Sequence, residues 1–235
     1  VALQNARTLI KNNEKIIVDG NQGIVIVNPS KDILEDYEVR QNIWGIEQQK
    51  LSKIKNIQCK TINNEKIELL ANIEVPGDIE SVKNNKAAGI GLFRTEFLFM
   101  NRKDLPNEDE QFEIYKSVAR SMKEKTVVIR TLDSGADKLT SADTTISSNP
   151  ALGLRAIRLC LSEPQLFNIQ LRAILRASRF GKIKILIPML SSLTELRQTK
   201  LLIERAKKSL MNEKILFNKN IMVGGMIEVP AVAIN

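Results

Sequence analysis

The chain has 235 residues, 43% hydrophobic and only 4% aromatic, and 35 Lys and Arg against 27 Asp and Glu leave a net charge of +8. Its Ile, Leu and Val are enough for a sizeable core, which excludes a disordered chain, and no apolar run approaches the ~20 residues of a membrane span. The basic residues are scattered among Asn and Ile, and the few aromatics do not alternate with them, which argues against a nucleic-acid surface but leaves an anionic small substrate open.

In chain order, Ala2 to Lys11 reads as the end of a helix. Ile16-Ile17-Val18 and Ile24-Val25-Ile26-Val27, joined through Asp19-Gly20 and closed by Asn28-Pro29, predict two buried strands. Over residues 30–55, Ile33, Tyr37, Trp44, Leu51 and Ile54 recur at spacings of four, seven, seven and three, one apolar stripe of a helix that is either a linker joining two domains or an ordinary amphipathic helix. After the turn at Asn63-Asn64, apolar runs predict strands over 69–73, 89–93, 127–130, 183–188 and 222–227. Helical patterns fall near 78–86, 108–123, 152–161, 165–178 and 192–210. Phe112, Tyr115, Ala119 and Met122 mark the buried face of the second, while Thr194-Glu195 and Lys207-Lys208 suit the two ends of the last.

Strand–helix alternation with nearly unbroken apolar strands predicts an α/β fold with a parallel sheet covered by helices. A doubly wound open sheet and a barrel both satisfy it. A (β/α)8 barrel takes ~250 residues, whereas about 170 follow Glu65. On the barrel reading, roughly three of the eight strands are absent and the chain is a fragment.

The chain holds no histidine, so a Ser–His pair, a His-ligated metal or a phosphohistidine within it is excluded. Cys59 and Cys160 fit no zinc or CxxC spacing and read as reduced thiols. No signal-peptide h-region opens the chain, so a cytoplasmic location is expected. Parallel α/β folds place ligands at the C-terminal ends of strands. Three of those ends carry charge that an apolar strand does not need: Arg94 after 89–93, Arg130 after 127–129, and Glu228 after 224–227. Two guanidinium groups can grip phosphate and carboxylate oxygens bidentately. A carboxylate facing the same anion calls for Mg²⁺ between them, which points to phosphoryl-transfer electrostatics. Plain ion pairs, Arg94 with Glu96 or Arg130 with Asp133, account for the same charges structurally.

Taken together these residues resemble a known family. Gly89-Ile90-Gly91-Leu92-Phe93-Arg94-Thr95-Glu96-Phe97-Leu98-Phe99-Met100 is similar to a motif of the phosphoenolpyruvate-utilising enzymes, in the form typical of enzyme I of the bacterial sugar phosphotransferase system. Val128-Ile129-Arg130-Thr131-Leu132-Asp133, Asp137-Lys138, Asn149-Pro150 with Gly153-x-Arg155, Gln170-Leu171-Arg172-Ala173 and Met226-Ile227-Glu228-Val229-Pro230 continue the likeness in order. Val18-Asp19-Gly20 to Asn28-Pro29 resembles the last strands of the family's phosphohistidine domain.

The resemblance implies three parts: the end of a swivelling phosphohistidine domain over 1–29, a linker helix over 30–58, and over 59–235 about the first five β/α units of a TIM barrel that binds phosphoenolpyruvate and Mg²⁺. It implies phosphoryl transfer to a protein histidine and on to the phosphocarrier HPr, the first step of sugar uptake, in a homodimer. Arg94 and Arg130 match substrate-binding arginines, Glu228 matches a metal-binding carboxylate, and Lys138 and Arg155 match positions near the site. The family's phosphohistidine would precede Val1. Its second metal carboxylate, a third substrate arginine and the barrel cysteine would follow Asn235.

Two positions depart from the pattern: Gly135-Ala136 stands where Gly-Gly is usual, which strains that loop if positive φ is needed, and Ser148 where Glu is common. A nitrogen-linked regulatory paralogue and an inactive barrel fragment or scaffold are the alternatives. The dikinases and synthases that make phosphoenolpyruvate usually carry His after Arg-Thr-Glu, where this chain has Phe97.

Overall fold

The structure, a computed structural model, describes residues 6–100, 102, 104–135 and 153–234. The chain divides into two compact units, Val1–Gln58 and Cys59–Asn235.

The first unit holds a short helix α1 (Ala6–Leu9), strands β1 (Ile16–Asp19) and β2 (Ile24–Val27), and helix α2 (Lys31–Ile54). β1 and β2 pair antiparallel from Ile16↔Val27 to Asp19↔Ile24. The Asp19 carboxylate closes the turn by accepting the Asn21 and Gln22 N–H groups at 2.9 and 3.0 Å. Gly23 follows at φ +70°, a backbone state that glycine enters without penalty. The expectation of two buried strands is corrected: both are half-buried to exposed, because a two-stranded ribbon has no second layer to cover it. α2 likewise buries none of its residues, and Trp44 at the centre of the expected stripe is 55% exposed. Val39, Ile43 and Ile46 lie off the stripe and are exposed too, so the helix has apolar residues around its circumference.

The second unit is built on five strands: β3 (Leu70–Ile73), β4 (Gly89–Phe93), β5 (Thr126–Arg130), β6 (Lys182–Ile187) and β7 (Met222–Gly225). All neighbours are parallel and the spatial order follows the sequence, β3-β4-β5-β6-β7. A doubly wound sheet would reverse direction at a switch point. The order here never reverses, which fits part of a TIM-barrel-like domain. Its helices are α3 (Ile79–Asn84), α4 (Glu108–Met122), α5 (Ala156–Ser162), α6 (Pro164–Ala177), α7 (Leu193–Asn212) and α8 (Pro230–Ile234).

The strand period of two decides which residues meet the helices. Val127 and Ile129 of β5 and Ile183, Ile185 and Ile187 of β6 are buried, while their alternates are half-buried or exposed. They join Tyr115, Ala119 and Met122 of α4 and Phe167, Leu171 and Ile174 of α6 in one core. Capping fixes where two helices begin: Asn107 and Glu110 exchange reciprocal bonds at the start of α4, and Ser192 and Glu195 do so at α7. α7 runs on to Asn212, so Lys207-Lys208 sit before its last turn. α5 starts at Ala156, four residues later than the sequence pattern suggests.

Candidate active site at the strand ends

Arg94 follows β4 directly, and its backbone N–H donates to the Ile73 carbonyl at 2.9 Å, continuing the ladder one residue past the strand. Its guanidinium bonds Glu74 just past β3, Nη1 to Oε1 at 2.6 Å, with both side chains well exposed. Arg130 ends β5 and is far more enclosed, at 12% side-chain exposure. Nη2 reaches Glu96 at 3.1 Å and Nη1 reaches Asp133 at 3.1 Å. Asp133 receives Arg155 on its other oxygen at 2.8 Å. Three arginines and three carboxylates thus alternate along the ends of β3, β4 and β5, and their formal charges cancel. A cavity of about 310 Å³ lies among them, lined by Glu74, Arg94, Glu96, Phe97, Met100 and Arg130.

The structure therefore brings Arg94 and Arg130 to one cavity and joins Arg155 to Arg130 through Asp133. Of the two structural pairs read from sequence, Arg130–Asp133 is present, whereas Arg94 bonds Glu74 rather than Glu96. Glu228 stands apart: it follows β7 and accepts the Met189 N–H at 2.7 Å beyond the end of β6. Lys138 and Ala136 lie outside the described residues.

Backbone strain collects nearby. Met189, which holds Glu228, has φ +56°, and Ala156, next to Arg155, has φ +49°. Such a conformation costs a non-glycine residue roughly 1 kcal/mol or more, and the surrounding bonds must hold it.

Sequence reading missed the layer beneath the arginines. Gln170 of α6 is buried, takes the Leu132 N–H on its amide oxygen at 2.9 Å, and donates to the Thr95 hydroxyl at 3.1 Å and the Tyr115 hydroxyl at 3.2 Å. Thr95 in turn donates to the Arg130 carbonyl at 3.0 Å. The available signal was a glutamine on the apolar face shared by Phe167, Leu171 and Ile174. Burial raises the Tyr115 hydroxyl well above its ordinary range, so it stays a neutral donor, here to Gln111 at 3.1 Å. Among the described residues, three buried polar atoms lack a hydrogen-bond partner: Arg130 Nε, Arg155 Nε and Thr131 Oγ1. All three sit at or beside the arginine cluster, where spare donor capacity suits an anionic ligand.

Mg²⁺ wants hard oxygen donors and is content with one or two carboxylates beside substrate oxygens. Glu228 meets that chemistry, since Met189 engages one carboxylate oxygen and a second is present for a cation. Among the described residues no group of three or more His, Cys, Asp or Glu is placed to hold a metal by itself. The donor set fits a cation completed by the substrate better than a closed structural site. No helix among the described residues is long and apolar enough to cross a membrane.

Residues 48–235 match the family described as PEP-utilising enzyme, PEP-binding domain. The chain is similar to the phosphoenolpyruvate-protein phosphotransferase of Cupriavidus necator, 45% identical over 238 residues that cover 100% of this chain and 41% of that protein. It is 44% identical to those of Staphylococcus carnosus over 225 residues and Geobacillus stearothermophilus over 226, covering 95% and 96% of this chain and 39% of each relative. It spans about two fifths of the length of these curated relatives.

Proposed function

The chain belongs to the PEP-utilising enzyme family, in its PEP-binding domain, and from that premise we propose that its parent protein transfers the phosphoryl group of phosphoenolpyruvate to a protein histidine and on to HPr. The observation that carries the reading is the cavity in which Arg94 and Arg130 converge, with Arg155 joined through Asp133.

Glu74, Glu96 and Asp133 occupy the arginines as a substrate's own carboxylate and phosphate would. Phosphoenolpyruvate exchanges for part of that carboxylate set. Arg94, exposed and held by one carboxylate, is the group freest to turn to the ligand, while Arg130 supplies a fixed cation. In the transfer, the bond from phosphorus to the enol oxygen breaks as a bond to the histidine nitrogen forms. Pyruvate leaves as its enolate and takes a proton, and the arginines neutralise charge on the migrating group. Glu228 would hold Mg²⁺, which supplies charge neutralisation at the phosphoryl oxygens when bound. Lys138 is assigned a supporting place near the substrate.

On this reading residues 1–29 end a phosphohistidine domain, 30–58 form a linker helix and 59–235 are the first part of a TIM barrel that continues beyond this stretch. The accepting histidine belongs to another part of the parent, since this chain has none. The parent works in the cytoplasm as a homodimer, on a small anion and a protein carrier, with no nucleic acid or membrane partner, and serves sugar uptake.

Labelled phosphoryl transfer from phosphoenolpyruvate to the full-length protein, with and without Mg²⁺ and followed by a chase onto HPr, tests this. Acid-labile, Mg²⁺-dependent label that moves to HPr is the expected result. Label that moves only to another carrier would reassign the pathway to a regulatory paralogue, and no label would withdraw the activity.

A further inference from the structure

We propose that Gln170 is a positioning residue for Arg130: its buried amide fixes the end of β5 so that the guanidinium is presented to the substrate at one angle. The inference rests on Arg130 acting as proposed above.

Gln170 stands on the buried face of α6, where an apolar residue would need no hydrogen bonds, and it is 1% exposed. Its amide is used in full. The oxygen accepts from Leu132 N, and the nitrogen donates to both Thr95 and Tyr115. Turning the amide over would set its NH₂ against the Leu132 N–H, so the network admits one orientation.

Two consecutive peptide units are caught in this way. Thr95 holds the carbonyl of the peptide joining Arg130 to Thr131, and Gln170 holds the N–H of the peptide joining Thr131 to Leu132. The last bond from β5 toward β6 is that of Thr131 N to Leu186 O, at 3.0 Å. Beyond it the network of Gln170 and Thr95 takes over from the sheet. Arg130 is sensitive to that backbone because, among the described residues, only its terminal nitrogens are bonded, to Glu96 and Asp133, while Nε has no partner. The same network ties the loop after β4, through Thr95, to the loop after β5. Arg94 opens the first of these loops and Arg130 is the residue from which the second departs, so Gln170 sets the spacing of the two substrate arginines. A buried network that is fully satisfied is the kind that rigidifies a site.

A double-mutant cycle on the full-length protein separates positioning from core stability. The variants are Gln170→Leu, Arg130→Ala and the pair, read as kcat and KM for phosphoenolpyruvate-dependent phosphorylation. Gln170→Leu is expected to lower kcat/KM roughly tenfold to a hundredfold, the scale of a misplaced catalytic group, and to add nothing in the Arg130→Ala background. Losses that multiply in the pair would overturn the inference while leaving the role of Arg130 standing, as would an unchanged kcat/KM in Gln170→Leu. Arg130→Ala with the activity of the parent would withdraw both. Thr95→Val, which cuts only the Thr95 hydroxyl bonds, carries the same test if Gln170→Leu does not fold. Its loss should be regained by Thr95→Ser, and equal loss in the Ser and Val variants counts against positioning.

Discussion

Glu96 accepts, on a single carboxylate oxygen, both the Arg130 guanidinium at 3.1 Å and the Asp133 backbone N–H at 2.9 Å. The side chain after β4 therefore orders the loop after β5 and holds the last residue of that strand in the same act. Arg94 is held less firmly, since among the described residues its guanidinium bonds an exposed glutamate, Glu74.

This difference separates two substitutions that look alike. Arg94→Ala and Arg130→Ala in the full-length protein should each lower the rate of phosphoenolpyruvate-dependent phosphorylation by about 2–4 kcal/mol of transition-state stabilisation. Their effects on stability should diverge. The exposed Arg94–Glu74 pair is worth about 0–1 kcal/mol, whereas removing Arg130 leaves the enclosed Glu96 with only the Asp133 N–H and Asp133 with only Arg155, and should cost about 1–3 kcal/mol. Steady-state kinetics beside urea unfolding of the same samples checks both halves, and equal unfolding midpoints would remove the distinction.

The strands and the positions of the two arginines were legible because charge at the end of an apolar run is conspicuous in one dimension. Their partners were not. Parallel strands bring their ends side by side irrespective of separation along the chain, so Glu74 reaches Arg94 from 20 residues away while Glu96, two residues on, turns to Arg130. The buried role of Gln170 is of the same kind: α6 lies 75 residues from Thr95, and only packing reveals the contact. The hairpin was read as buried because apolar strands usually are, yet burial depends on a covering layer that its own residues do not encode. Residues 136–152, Lys138 among them, lie outside the described residues.

The two cysteines should differ sharply toward alkylating reagents. Cys160 is fully buried, and burial, helped by the nearby Asp133 charge, pushes its thiol up to about 12. Cys59 is partly exposed. At pH 8 iodoacetamide should modify Cys59 in the folded protein and leave Cys160 untouched until denaturant is added, as peptide mapping would show. The same shift makes stability fall with alkali. The neutral thiol is favoured in the fold, so its contribution is complete below pH 9.0, the ordinary value, and is lost as pH rises toward about 12. Cys160→Ala should flatten that decline.

Gly89 and Gly224 should respond oppositely to a methyl group. A Cβ at Gly89 would lie 2.6 Å from the Thr126 carbonyl oxygen, a backbone atom of the neighbouring strand that cannot step aside. At Gly224 the nearest atom is a Leu186 methyl at 3.7 Å, an ordinary contact. Gly89→Ala should destabilise by about 1–3 kcal/mol through overpacking, and Gly224→Ala by less than about 0.5 kcal/mol. Thermal unfolding of the two variants reads the contrast directly.

The helical layer has its own ionic centre, and it should contribute to acid unfolding of this unit. Arg172 of α6 bonds Glu108 of α4 at 2.5 Å, Glu213 just beyond α7 at 2.7 Å and Ser209 at 2.6 Å, so one guanidinium ties three helices together. Arg176 adds Glu108 and Asp109 from the next turn. The bond from Arg172, seconded by Ser209, holds the Glu213 carboxyl down at about 2. Because this folded value lies below the ordinary 4.5, the contribution is present above pH 4.5 and is lost as pH falls toward 2. Arg172→Leu keeps the aliphatic packing of the stem but abolishes all of these bonds. It should destabilise the unit at neutral pH, because Glu108 is left with Arg176 and Glu213 with Ser209. It should also erase part of the stability lost between pH 4.5 and 2, because Glu213 then loses the largest of the interactions that hold its carboxyl down and keeps only the smaller pull of Ser209 and Arg176. Urea unfolding of both proteins at pH 7, 4.5 and 3 measures this. A gap between wild type and variant that fails to narrow on acidification would mean that the Arg172–Glu213 bond contributes nothing to it.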